Sequence, residues 1–186
     1  MPAEAILRLY ETNAALAYGL SGVSQLEHAL QAAALAQRAG ASNELLVAAL
    51  LHDIGHLIHD LGEALAEQSV DDRHESLGSA YLSRLFPLEV SEPVRLHVPA
   101  KRYLVATEGA YAGLLSADSV RSLALQGGPM TPAEQDAFRC ESFWQDAVAL
   151  RRFDEEAKMP GAVTPSLRDF LPLIESCMQR RSAAAA

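Results

Sequence analysis

At 186 residues the chain is of a size for one domain with a sizeable core. Apolar residues make up 49% and aromatics 6%, with Ala and Leu dominant, a bias that favours helices over sheets. Against 24 acidic residues stand 15 basic ones, for a net charge of −9 with no basic run; this excludes a nucleic-acid partner and requires any anionic ligand to be held by a few local cations.

In chain order, residues 3–16 read as a first helix and "YGLSGVS", Tyr18 to Ser24, as a glycine-bearing loop. Ser24 is placed to cap a helix through Arg38, with Glu27 three residues on for a capping box and Gly40 as the stop. Asn43 is the expected cap of the next helix, which runs to about Leu61 and carries "LLHDIGHLIHD". Asp72 opens another through Leu85, ended before Pro87, and Glu92-Pro93 begins a fifth through Val105. Residues 109–125 read as helical in pieces and "QGGPM" as a break. "TPAE" has an N-cap Thr131, Pro132 at the first helical position and Glu134 completing a capping box. Residues 141–158 form a long helix, residues 166–180 the last, and the terminal alanines a frayed tail. No strand pair emerges, so the expected class is all-α, a single domain over 1–186. No apolar stretch reaches membrane-span length and the N-terminus lacks a signal-peptide pattern. Cys140 and Cys177 demand no disulfide, and a reducing cytoplasm is the expected setting.

"LLHDIGHLIHD" places an imidazole and a carboxylate in an apolar run, where burial is costly unless something binds them. His52 and Asp53 are adjacent and leave a helix about 100° apart, so they can reach one metal, or Asp53 can bridge two. His28 lies on the helix before, His74 and His97 on the two helices after, and Asp154 in "RRFDEEAK" is the best further acid. Four His and two Asp suffice for two metals with positions left for water, oxygen or substrate. His52 and His56 are four apart, as are His97 and Lys101, while Arg151 and Asp154 are three apart. Such pairs share a helix face, so three helices each present a candidate ligand beside a candidate donor. Donors beside a metal pair suit a small anion, most naturally a phosphate or phosphonate. His59 reads as a core histidine, and Glu155 and Glu156 as a solvated face.

The blocks "QLEHALQAA", "LLHDIGH", "DDRHESLG", "RLHVPAKRYL", "SADSVRSLALQGGPM" and "LRRFDEEAK" together resemble the HD-domain superfamily, an all-α metal-binding fold. Over nearly the whole chain they are most similar to its mixed-valent diiron oxygenases that cleave 1-hydroxyphosphonates, such as those acting on 2-amino-1-hydroxyethylphosphonate. The resemblance implies a helical bundle with a buried dinuclear site and two irons, Fe(II) and Fe(III). His28, His52 and Asp154 would bind one, His74 and His97 the other, and Asp53 would bridge. His56, Lys101, Ser119 and Arg151 would hold the phosphonate oxygens, and Tyr18, His56 and Lys101 would take part in catalysis, Tyr18 by leaving an iron position when substrate arrives. The implied reaction consumes O2, breaks the C–P bond of a small organophosphonate and yields a carboxylic acid and inorganic phosphate. In the amine-binding members a glutamate follows the tyrosine closely; here no acid follows Tyr18 until Glu27. A small or neutral substituent, as in hydroxymethylphosphonate, is at least as well matched, and the C1 substituent and oligomeric state stay open.

Two other readings belong beside this one. A metal-dependent HD phosphohydrolase would use a metal-bound hydroxide on a phosphate ester or nucleotide. A non-catalytic HD module would bind a phosphate as a sensor. The ligand types suit iron without excluding manganese or zinc.

Overall fold

The computed structural model describes residues 2–13, 22–58 and 73–184. Among them are ten α-helices, two 3-10 turns and no β-strand. The helices are α1 (Pro2–Asn13), α2 (Gln25–Arg38), α3 (Asn43–Leu51), α4 (Ile54–Ile58), α5 (His74–Leu82), α6 (Leu88–Thr107), α7 (Ala117–Leu125), α8 (Pro132–Arg139), α9 (Trp144–Glu156) and α10 (Leu171–Ala184).

α3 is the centre of the bundle because "LLVAALL" is apolar on every face, and all seven of these residues are buried. A helix with no polar face must be surrounded, and α2, α6, α9 and α10 surround it. α5 packs on α6 and α4, and α9 lies along α6 and α2. The main core runs from Ile6, Leu7 and Tyr10 through α3 to Leu150 and Ile174, and a smaller cluster forms around Leu96, Met130 and Phe138. No described helix is long and apolar enough to cross a membrane. Cys140 and Cys177 are both free thiols.

Several expected caps are present. The Ser24/Glu27 and Thr131/Glu134 capping boxes form in both directions. Gly40 follows α2 at φ 69°, a left-handed conformation that costs glycine little. Other boundaries differ. Ser42, rather than Asn43, caps α3, accepting from the Leu45 N–H at 3.1 Å. The expected continuous helix to Leu61 is interrupted: α3 ends at Leu51, His52 and Asp53 form a turn, and α4 starts at Ile54. The helix expected from Glu92-Pro93, α6, begins at Leu88 behind Pro87 and runs through both Pro93 and Pro99. Each internal proline forfeits one helical hydrogen bond. Burial of Val90, Pro93, Val94 and Leu96 along the helix offsets that loss, so the proline was a poor boundary marker. The long helix expected over 141–158 is shorter, Trp144–Glu156, and the last begins as a 3-10 turn, Leu167–Phe170, under a Ser166 cap.

Candidate metal centre and anion clamp

The turn at His52-Asp53 is what aims both side chains inward. Tyr10 from α1 donates its hydroxyl proton to the Leu50 carbonyl at 2.9 Å in the last turn of α3, just before that break. Burial, with Asp53 nearby, pushes the Tyr10 phenol far up, so it stays a neutral donor. Gly55 opens α4 against the backbone of α5: a Cβ there would lie 2.0 Å from the His74 carbonyl oxygen. The absence of a side chain lets the His74 backbone come this close.

Two triads of ligand-type side chains result, His28/His52/Asp154 and Asp53/His74/His97. Within the first, the His28 and His52 Nε2 atoms are 3.2 Å apart, and Asp154 Oδ1 lies 3.4 and 3.9 Å from them. Within the second, the His74 and His97 Nε2 atoms are 3.1 Å apart. Asp53 spans both: Oδ2 is 3.5 Å from His28 Nε2 and 3.4 Å from His52 Nε2, while Oδ1 is 3.6 Å from His74 Nε2 and 3.8 Å from His97 Nε2. One carboxylate therefore turns one oxygen to each triad, the arrangement a bridging ligand needs.

The ring tautomers point the same way. The Nδ1 atoms of His28, His52 and His97 face the carbonyls of Ala157, Ala49 and Val94 at 2.8, 2.9 and 2.7 Å. A carbonyl only accepts, so each Nδ1 carries a proton and Nε2 is the ring nitrogen left to face the triads. With both rings neutral, the His28–His52 approach has no hydrogen between its nitrogens and is repulsive unless a cation lies between them. Two nitrogens each about 2.1 Å from one ion at a right angle would be about 3.0 Å apart, close to the spacing found. Burial lowers the His52 and His97 pKa values, the latter strongly with help from the facing histidines, which keeps them neutral. Burial works to raise Asp53 and Asp154, but the histidines around Asp53, and Arg151 and Lys158 beside Asp154, outweigh it and hold both ionised. Neutral imidazoles with ionised carboxylates are the donor set of a hard or borderline metal ion.

The candidate donors stand beside the triads, His56 against the second and Arg151 against the first. His56 stacks on His74 with ring centroids 4.1 Å apart and planes at 19°. Arg151 is buried; it donates to Asp154, to Glu155, to Ser119 Oγ at 3.1 Å and to Tyr111 Oη at 3.2 Å. Lys101 is 3% exposed and donates to Ser122 Oγ at 2.7 Å. Ser119 stands in the first turn of α7, whose N-cap is Ser116. Tyr18 and His59 lie outside the described residues.

Sequence reasoning missed Glu155, Lys158 and Gln31 here. Glu155 was expected on a solvated face, yet its side chain is 7% exposed and pairs with Arg151 and Lys158. The spacing rule that paired His52 with His56 would have found it, since Glu155 is four residues beyond Arg151 and Lys158 three further. Gln31 carried no signal. Its amide donates to the Met159 carbonyl and accepts from the Met159 N–H, both at 3.0 Å, fixing the segment whose Ala157 carbonyl orients His28. Gln31→Ala should lower stability by roughly 1–3 kcal/mol in urea unfolding, because it removes two part-buried hydrogen bonds of about 0.5–1.5 kcal/mol each.

The HD domain family model matches residues 26–141, more than half of the chain. Hydroxymethylphosphonate dioxygenase of Gimesia maris is 46% identical over 158 residues, 84% of this chain and 79% of that protein. The chain belongs to the HD-domain phosphonate dioxygenases. The 1-hydroxy-2-(trimethylamino)ethylphosphonate dioxygenase (glycine-betaine-forming) of Leisingera caerulea is 38% identical over 162 residues, 87% of this chain and 83% of that one. An HD-domain dioxygenase is a metal-dependent oxidoreductase, and the His/Asp triads are where this one has the side chains for a metal. Asp154 and the Arg151–Lys158 group lie beyond the HD match, so the HD segment on its own supplies an incomplete first triad.

Proposed function

We propose that this HD-domain dioxygenase cleaves the C–P bond of a small 1-hydroxyalkylphosphonate with O2, giving a carboxylic acid and inorganic phosphate. The observation that carries the reading is the Asp53 carboxylate, one oxygen toward each triad, beside a buried cluster of cations. His28, His52 and Asp154 would hold one iron, His74 and His97 the other, with Asp53 between. When bound, an Fe(II)/Fe(III) pair supplies Lewis acidity toward the substrate oxygens and an electron for oxygen. The chain's own residues bind the phosphonate, orient it and keep water out. Arg151, Lys101, Ser119 and His56 neutralise and fix the phosphonate oxygens, which directs the C1 hydroxyl and its hydrogen toward the triads. Hydroxymethylphosphonate is the first substrate to test. It is named for the Gimesia relative, and no carboxylate stands between Tyr18 and Glu27 to receive an amine. The reaction HOCH2–PO3H2 + O2 → HCOOH + H3PO4 balances.

An oxygen electrode and a phosphate assay on iron-loaded protein test this. One O2 should be consumed per phosphate released, and anaerobic protein should release none. Phosphate release at an unchanged rate without oxygen would replace the oxygenase reading with hydrolysis.

Lys101 adds a pH dependence. Burial, reinforced by Arg151 and Lys158, pushes its ammonium down to about 7. The free enzyme therefore carries this charge below about pH 7 and loses it as pH rises. Substrate capture, kcat/KM, should fall on that limb, and Lys101→Met should flatten it. Lys101→Ala should raise KM by roughly 10–100-fold with iron content intact, because it removes one charge-assisted bond of about 1.5–3 kcal/mol. Arg151→Ala should raise KM and also disturb the iron, since Arg151 bonds Asp154 directly.

A further inference from the structure

The hydroxyl of Ser119 is oversubscribed. Arg151 Nη2 donates to its oxygen at 3.1 Å, Lys158 Nζ at 3.2 Å, and Ser116 Oγ lies 3.1 Å away as a third donor. A hydroxyl has two lone pairs, so these donors exceed what it can accept. Its own proton goes to Glu155 Oε2 at 3.1 Å. The Glu155 carboxylate takes up the surplus. It also accepts from Arg151, pairs with Lys158 Nζ at 3.1 Å, and receives the Ser116 backbone N–H at 2.8 Å. Donors from α7, α9 and the segment after α9 thus converge on one buried carboxylate. The same group reaches the first triad, since Arg151 bonds Asp154 and Lys158 Nζ lies 3.9 Å from Asp154 Oδ1.

We propose that Lys158 is a further member of the anion clamp and that the Glu155 carboxylate competes with the substrate phosphonate for Arg151, Ser119 and Lys158. This rests on the phosphonate reading above. A phosphonate dianion offers three oxygens and two charges to the same donors, where the tethered carboxylate offers two oxygens and one. Only an anion that outbids Glu155 enters. The exchange therefore selects phosphonate dianions against monoanions of similar shape, such as sulfonates, and makes Glu155 a specificity-determining residue.

Calorimetric titration of the metal-loaded full chain tests the exchange, with inorganic phosphate and hydroxymethanesulfonate as probes. Glu155→Gln keeps the size of the side chain and removes its charge. It should bind phosphate about tenfold tighter or more, and bind hydroxymethanesulfonate measurably where the parent does not; the change follows from the loss of one charged competitor. Lys158→Met should bind phosphate about tenfold more weakly or worse. Should Glu155→Gln not fold, Glu155→Asp shortens the reach of the same charge and should move both affinities in the same direction. Equal or weaker phosphate binding by a folded Glu155 variant would make Glu155 a fixed strut, and unchanged binding by Lys158→Met would remove Lys158 from the clamp. Oxygen uptake with hydroxymethylphosphonate in the parent separates the two levels. Uptake with unresponsive binding overturns the exchange alone, and responsive binding without uptake overturns the oxygenase reading alone.

Discussion

Asp53→Ala should abolish turnover and leave both metal positions unable to hold their ions. Asp53 turns one oxygen to the His28/His52 pair, at 3.4 and 3.5 Å, and the other to the His74/His97 pair, at 3.6 and 3.8 Å. Without it the first triad keeps two histidines and Asp154, while the second is reduced to two histidines with no anion. Losing a residue that only hydrogen-bonds a metal ligand costs roughly 10–100-fold in metal affinity or activity, and loss of a shared ligand should exceed that. Iron analysis after desalting should fall from about two ions per chain to below one. Asp53→Asn should behave nearly as badly, since the amide keeps the shape but not the charge that offsets two cations. Circular dichroism should show a retained helical fold in both, because the core around α3 is apolar and independent of this carboxylate. Full iron content and full activity in Asp53→Ala would remove Asp53 from the site.

Gly55→Ala should be nearly as damaging although glycine ligates nothing. The added Cβ would meet the His74 carbonyl oxygen at 2.0 Å, its carbon at 2.7 Å and its Cα at 2.9 Å. These are backbone atoms and cannot swing aside. Carbon–oxygen contact needs a gap nearer 3.5 Å, so α4 and α5 must separate by roughly 1.5 Å. Gly78 on α5 packs back against the same turn, with a Cβ built there only 3.2 Å from the Gly55 nitrogen, so the two helices have no slack. Overpacking of this kind costs about 1–3 kcal/mol. Displacing His74 by about 1 Å or more should cost on the order of 100-fold in kcat/KM. The second triad, which contains His74, should lose its ion first, leaving about one iron per chain. Gly109→Ala is the control: nothing lies within 4 Å of a Cβ there, and metal content and activity should be unchanged. Parent-like iron content in Gly55→Ala would mean that α4 can shift without disturbing His74.

The sequence by itself determined the helical class, the order of the helices and the identity of the ligand-type residues. These are local properties. An Ala- and Leu-rich pattern makes helices, "SQLE" and "TPAE" cap them, and a histidine or aspartate in an apolar run must be compensated whatever surrounds it. The i to i+4 and i to i+3 spacings likewise put His56, Lys101 and Arg151 beside ligand candidates before any contact was known. What only the tertiary structure decided depends on which helices touch. The break at His52-Asp53 contains no glycine or proline; the Tyr10 hydroxyl from α1 meets the carbonyl just before it. Glu92-Pro93 looked like a helix start, but packing on both neighbours carries α6 through Pro93 as well as Pro99. The division of six ligand-type side chains into two triads follows from α2, the turn after α3, α5, α6 and α9 converging around Asp53, a meeting of residues up to 126 positions apart that no spacing rule encodes. Glu155 shows the limit most clearly. Its composition-based reading was a solvated acid, because an acid in "DEEAK" is exposed unless something distant covers it, and here α7 covers it with Ser116 and Ser119.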